Sequence, residues 1–148
     1  MTIFDVIRED HDKHRRLLEL LTKTKGDSDG RRELFERLRR DLVAHAAAEE
    51  QTLYAAMMKD PVTVEKSRHS VAEHKELDDF LETLTDKDFS SSGWVQTAEK
   101  LRHRAEHHME EEEREVFVSA GKLLDSDTKE ALAEKFLAAK SEWLDSRS

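Results

Sequence analysis

One ten-residue pattern occurs twice in the chain. Residues 45–54 read His45-Ala46-Ala47-Ala48-Glu49-Glu50-Gln51-Thr52-Leu53-Tyr54, and residues 108–117 read His108-Met109-Glu110-Glu111-Glu112-Glu113-Arg114-Glu115-Val116-Phe117. In each copy a histidine is followed four positions later by a glutamate, and the glutamate five positions later by an aromatic. Residues four apart on a helix are neighbours on one face, so each His/Glu pair projects in a single direction. The offset between copies is 63 (108 − 45), and it also carries His11 onto His74 (74 − 11). Each copy therefore holds a further histidine 34 residues before its His-x-x-x-Glu (45 − 11 and 108 − 74). A repeat of this length is a helical hairpin, and two in tandem make an antiparallel up-down four-helix bundle with approximate internal twofold symmetry.

The rest of the chain fits that frame. Apolar residues at Ile3, Ile7, Leu18 and Leu21 predict a first helix over about 3–24, with Thr2 as its N-cap. Leu34, Leu38, Leu42, Leu53 and Met57 predict a second over about 31–59, after which Pro61 opens a third over about 62–85. The break Ser90-Ser91-Ser92-Gly93 precedes a fourth over about 94–120, with Gly121 as its expected stop. Leu132, Phe136, Leu137, Trp143 and Leu144 predict a shorter fifth helix over about 127–144, packed across the bundle. At 148 residues the all-α chain is read as one domain, with the bundle over about 3–121.

The candidate ligands point inward. The apolar stripe of the second helix runs Leu34, Leu38, Leu42, His45, Glu49, Leu53, and that of the fourth runs Trp94, Ala98, Leu101, Ala105, His108, Glu112, Val116. His11 and His74 lie on the corresponding stripes of the first and third helices. Counting from the predicted turns at about 1.5 Å per residue puts all six side chains at one depth of an antiparallel bundle.

Composition removes whole classes of function. With no cysteine, the chain forms neither disulfides nor thiolate metal sites. A formal net charge of −9 argues against a nucleic-acid partner, which needs a concentrated basic face, and is compatible with cation binding. Residues 1–5 carry no basic segment followed by an apolar run, and no stretch approaches the roughly 20 apolar residues that span a bilayer. No membrane association and a cytoplasmic location are expected.

Two buried carboxylates among four imidazoles, with no basic residue on the inward stripes, require a compensating cation. Two histidines and one carboxylate per repeat is the ligand composition of non-haem iron, and carboxylates between two ions bridge them. His11, His45, Glu49, His74, His108 and Glu112 are therefore the expected ligands of a dinuclear site, and zinc or manganese also suits such donors. His14, one turn from His11, fits a ligand, a hydrogen-bonding neighbour of the ligands or a core histidine. His69, His103 and His107 fall on polar faces, and Tyr54 and Phe117 are expected to form apolar wall.

Glu9-Asp10-His11, His45 to Glu50 with Leu53-Tyr54, Glu73-His74, and His107 to Glu113 with Val116-Phe117 resemble, in order and spacing, the hemerythrin-like or HHE cation-binding family. The resemblance covers about residues 3–121. It implies a non-haem di-iron bundle whose six ligands are those named above and whose two iron ions (Fe2+/Fe3+) are carboxylate- and oxo- or hydroxo-bridged. It also implies a small-molecule ligand: dioxygen, peroxide or nitric oxide. Binding or reduction of such an oxidant is the expected function, with a peroxide-consuming, catalase-like activity first among enzymatic roles. The alternative is an iron-binding module without turnover, serving storage, donation or sensing. Oxygen-carrying members have a further histidine one turn before the third-helix ligand, where this chain has Ser70. Their customary prolines after the aromatics are replaced by Ala55 and Val118.

Overall fold

The computed structural model describes residues 1–147. Helix α1 spans Ile3–Thr22, opened by a capping box in which the Thr2 hydroxyl accepts from the Asp5 backbone N–H while the Asp5 carboxylate accepts from that of Thr2. Gly26, at φ +62°, supplies the left-handed residue of the turn that follows. The second helix, α2, runs Asp29–Glu49 from an N-cap at Ser28, then passes through a π turn at Glu50–Tyr54 and ends with Ala55–Met57. Helix α3 spans Val64–Asp86. Its fourth-helix neighbour α4 spans Ser92–Glu111 and continues through a second π turn, Glu112–Val116, into Phe117–Leu123. Asp125 caps α5, Ser126–Ser146, by accepting from the Thr128 N–H.

Two boundaries differ from expectation. Residues 61–63 form a turn instead of opening α3, because the Asp60 side chain accepts from the Val62 N–H while the Thr63 hydroxyl reaches back to the Met57 carbonyl. Gly121 does not stop α4. It is helical, lies under the Phe4 ring, and the chain turns extended only at Leu124.

The four bundle helices alternate in direction, with α1 against α2 and α4, and α3 against α4, whereas α2 and α3 touch sparingly. Helix α5 lies across α1 and α2. The apolar core is in two parts. One, around Ile3, Ile7, Leu53, Met57, Val116 and Phe117, is closed by Leu132 and Phe136 of α5. The other, around Leu18, Leu38, Leu81, Leu84, Trp94 and Leu101, fills the opposite end. Each fully buried large side chain contributes roughly 1.5–3 kcal/mol, so the two parts hold a polar layer between them. Among the described residues, no helix is long and apolar enough to cross a membrane.

Candidate metal centre

That polar layer is where the six expected residues meet. All are buried, and none is more than 5% exposed. Their donor atoms form two overlapping groups, each within 4.8 Å: His11, His45, Glu49 and Glu112 in one, and Glu49, His74, His108 and Glu112 in the other. Each group takes its two histidines from one half of the repeat, and both share the two glutamates. Which residues share a group, undecided by spacing, follows from this placement.

The donors aim at common points instead of at one another. His11 Nε2 lies 3.1 Å from Glu112 Oε1, and His74 Nε2 3.1 Å from Glu49 Oε1. Yet His11 Nε2, His108 Nε2, both oxygens of Glu49 and Oε1 of Glu112 make no hydrogen bond, and Ser91 Oγ is the one other such buried atom among the described residues. Leaving one buried polar atom unpaired costs about 1–3 kcal/mol, so five in one spot fit a cation that they would coordinate. Burial and the facing Glu112 carboxylate push Glu49 well above the usual carboxylate range. Burial opposes charge on His11 too, but Glu112 and Glu113 outweigh it and lift His11 to about 9. His45, by contrast, is brought down to about 3 by burial. Glu49 and His11 are thus pushed toward holding a proton where a bound metal would supply positive charge, whereas, against its burial, His11 and Glu49 hold the Glu112 carboxyl down.

Behind each inward nitrogen stands a carboxylate. Nδ1 of His45 lies 2.7 Å from Asp10, that of His108 2.8 Å from Glu73, that of His74 2.9 Å from Glu50 and that of His11 2.5 Å from Glu113. A carboxylate on Nδ1 keeps the proton there and presents the Nε2 lone pair inward, which orients imidazoles for a metal. These four acids were not singled out as candidates, although the signal was present: Asp10 and Glu73 differ by 63, as do Glu50 and Glu113.

Tyr54 also departs from expectation. It is wholly buried and stacks on His74 at 5.5 Å, but its hydroxyl donates to the Glu112 carboxylate and so belongs to the polar layer. Its counterpart Phe117 is wall, stacked on His11 at 6.3 Å. The five-residue step from each glutamate to its aromatic matches the wider π turn, which turns Leu53 and Tyr54 inward together. Ser70, buried, lies beside the phenol.

His14 stands outside both groups. Its Nε2 meets Asp41 Oδ2 at 2.5 Å, its ring packs edge-on to His45, and burial holds its pKa down. Lys140 of α5 completes this corner, with Nζ 3.0 Å from both oxygens of Asp10 and 3.1 Å from Asp41 Oδ2. Burial pushes the Asp10 carboxyl up, but the His45 N–H and the Lys140 ammonium outweigh it and bring it to about 2. Over the site, between α2 and α3, lies a cavity of about 20 Å³ bordered by His14, Leu42, Ala46, Leu77 and Leu81 together with the four inward histidines.

Comparison with known proteins accords with this arrangement. Residues 2–119 match the model of the hemerythrin HHE cation binding domain. The chain belongs to the hemerythrin HHE family. Members of that family are cation-binding domains, and the buried His/Glu set is where this hemerythrin-like chain can hold its cation. A crystal structure of an HHE cation binding domain-containing protein from Mycobacterium kansasii superimposes with a TM-score of 0.88, covering 99% of this chain and 89% of that one, at 23% identity. That likeness concerns the fold. A DNA nickase of Nostoc sp. is 30% identical over 141 residues, and the chain spans 40% of that relative's length.

Proposed function

We propose that the chain is a non-haem di-iron protein that binds or reduces a small oxidant, whether dioxygen, peroxide or nitric oxide, in the cavity between α2 and α3. The observation that carries this reading is the sharing of Glu49 and Glu112 by two histidine pairs, a set in which five buried nitrogen and oxygen atoms make no hydrogen bond. His11 and His45 would hold one iron, His74 and His108 the other, and both carboxylates would bridge. Ferrous iron held there would supply electrons and open coordination positions for the oxidant.

The surrounding residues supply the rest. Leu42, Leu77 and Leu81 give the cavity an apolar wall beside the histidines and Asp78, and its volume of about 20 Å³ has room for a ligand of about the size of water. Tyr54 steadies Glu112 through its O–H. His14 borders the cavity and is bonded to Asp41, whose other oxygen accepts from the half-exposed Lys13 at 2.9 Å. That chain of contacts joins the cavity wall to the solvent-facing Lys13.

The test is elemental analysis of the purified protein, with absorption spectra recorded anaerobically before and after peroxide. About two irons per chain and a ligand-to-metal band that changes with oxidant are expected. Absence of iron after reconstitution with ferrous ion would overturn the reading. Iron that is bound but spectrally indifferent to oxidant would favour storage or donation.

A further inference from the structure

Outside the core, the facing surfaces of α3 and α4 carry a second His/Glu cluster. His69 and Glu73 are one turn apart on α3, and His107 and Glu111 one turn apart on its antiparallel neighbour α4. His69 Nε2 lies 2.9 Å from Glu111 Oε1 and 3.5 Å from Glu73 Oε2, while His107 Nε2 lies 3.1 Å from the other oxygen of Glu111. Donor atoms of His69, Glu73 and Glu111 all fall within 4.8 Å of one another. We propose that His69, Glu73 and Glu111, with His107 as a fourth donor, form a surface site for a single divalent first-row transition ion, distinct from the core pair.

Three observations support a site over an incidental contact. The first concerns partners. Neighbouring surface carboxylates on these helices pair with arginines, Glu76 with Arg104 and Glu110 with Arg114, whereas the ion pairs of Glu73 and Glu111 among the described residues are with histidines alone. The partners of these two acids are therefore imidazoles, which are themselves donors to a metal ion. The second is the anchoring of Glu73. It is 6% exposed, its Oε1 is fixed on His108 Nδ1 at 2.8 Å, and its Oε2 is directed outward at His69. One donor is thus preorganised, while the two imidazoles, 57% and 61% exposed, are free to close on an ion and leave room for water.

The third is asymmetry. The 63-residue offset maps His69, His107 and Glu111 onto Val6, Ala44 and Ala48, and only Glu73 keeps an acidic equivalent, Asp10. Val6 and Ala48 are packed beneath Leu132 and Phe136 of α5, which covers that face of the first hairpin. The cluster occurs where the bundle is left uncovered, so it is no by-product of the duplication. Two imidazoles with carboxylates suit zinc, ferrous or manganous ion, whereas calcium and magnesium prefer oxygen alone. An ion here would be one carboxylate, Glu73, away from His108 of the core.

The inference does not depend on iron in the core. Metal-stripped wild-type protein and His69→Ala/His107→Ala are each dialysed against excess Zn2+, and zinc per chain is counted. Both substituted side chains are exposed, so the variant is expected to melt with the wild type. The wild type should retain about one zinc per chain more than the variant, the occupancy of one tetrahedral site. After saturation of the wild type, the imidazole NMR signals of His69 and His107 should be shifted. Equal zinc counts in the two proteins, or unshifted imidazoles, would overturn the proposal. Failure of the core reading appears separately, as a core that takes no iron whatever the difference in zinc count.

Discussion

Lys140→Met is the substitution that best tests how α5 is joined to the site. Lys140 is the cation between two largely buried carboxylates: its Nζ lies 3.0 Å from both oxygens of Asp10 and from Oδ1 of Asp41, and its side chain is 11% exposed. Methionine keeps the apolar stem and removes the charge. Loss of one partner from a buried pair costs about 3–5 kcal/mol. Lys13 still reaches Asp41 at 2.9 Å and His45 still donates to Asp10, which brings the expectation to about 2–3 kcal/mol. The depression of Asp10 from 3.8 to about 2 corresponds to roughly 2 kcal/mol shared among its partners, the same order. In a domain of this size the midpoint should fall by about 4–12 °C.

The assay is thermal unfolding of metal-free protein followed by circular dichroism, with the exposed Lys135→Met on the same helix as control. The folded pKa of Asp10 is below its unfolded value, so its contribution is complete above pH 3.8 and is lost as pH falls through about 2. The gap between wild type and Lys140→Met should therefore be full at pH 7 and narrow below about pH 4 by the share of Asp10, while Asp41, held lower still against its burial by His14 and Lys140, keeps the remainder. Equal midpoints at pH 7, or a gap that persists undiminished at pH 2, would refute the reasoning.

Four further outcomes are expected. His108→Ala should lower core metal occupancy severely, whereas His107→Ala, on the exposed side of α4, should leave the core's metal in place; equal losses of the core's absorption bands in the two variants would contradict the inward assignment. Glu73→Gln should weaken metal retention at the core by about 10–100-fold in a chelator competition, because Nδ1 of His108 loses its carboxylate while the ligand itself remains. Tyr54→Phe should keep the metal but shift its absorption bands and lower stability by about 1–3 kcal/mol, the value of a hydrogen bond to a charged acceptor, read by spectroscopy and melting. In metal-free protein the folded pKa of His11 is about 9, above its ordinary 6.5, so its stabilisation is complete below pH 6.5 and lost as pH rises to 9. Urea titrations should show metal-free protein weakening over that interval, and metal-loaded protein holding steady.

Much of this molecule could be read from one dimension. A helix face is a local property, so the steps from Leu34 through His45 and Glu49 to Leu53 identify the inward side of α2 without knowledge of its neighbours. The offset of 63 did the same for architecture, since a duplicated hairpin closes on itself as a bundle. Six residues at one depth followed from helical rise and antiparallel order. Helix ends were less legible, because Gly121 stays helical where Phe4 from α1 packs against it, a contact absent from the local sequence.

Tertiary structure decided what depends on which side chains meet across helices. The pairing of His11 with His45, and of His74 with His108, around a shared Glu49 and Glu112 is a matter of inter-helical distance. So are the bond from Tyr54 to Glu112, the retirement of His14 to Asp41, and the reach of Lys140 across 130 residues to Asp10. The roles of Asp10, Glu50, Glu73 and Glu113 emerge only where packing sets each against an imidazole. Periodicity records the direction in which a residue points along its own helix, but hydrogen-bond partners are set by the angle and spacing of helices brought together by a hydrophobic effect that is itself non-directional. The sequence alone therefore determined the bundle and the six inward residues, and only the packed structure decided how those six divide into two groups and which carboxylates hold them.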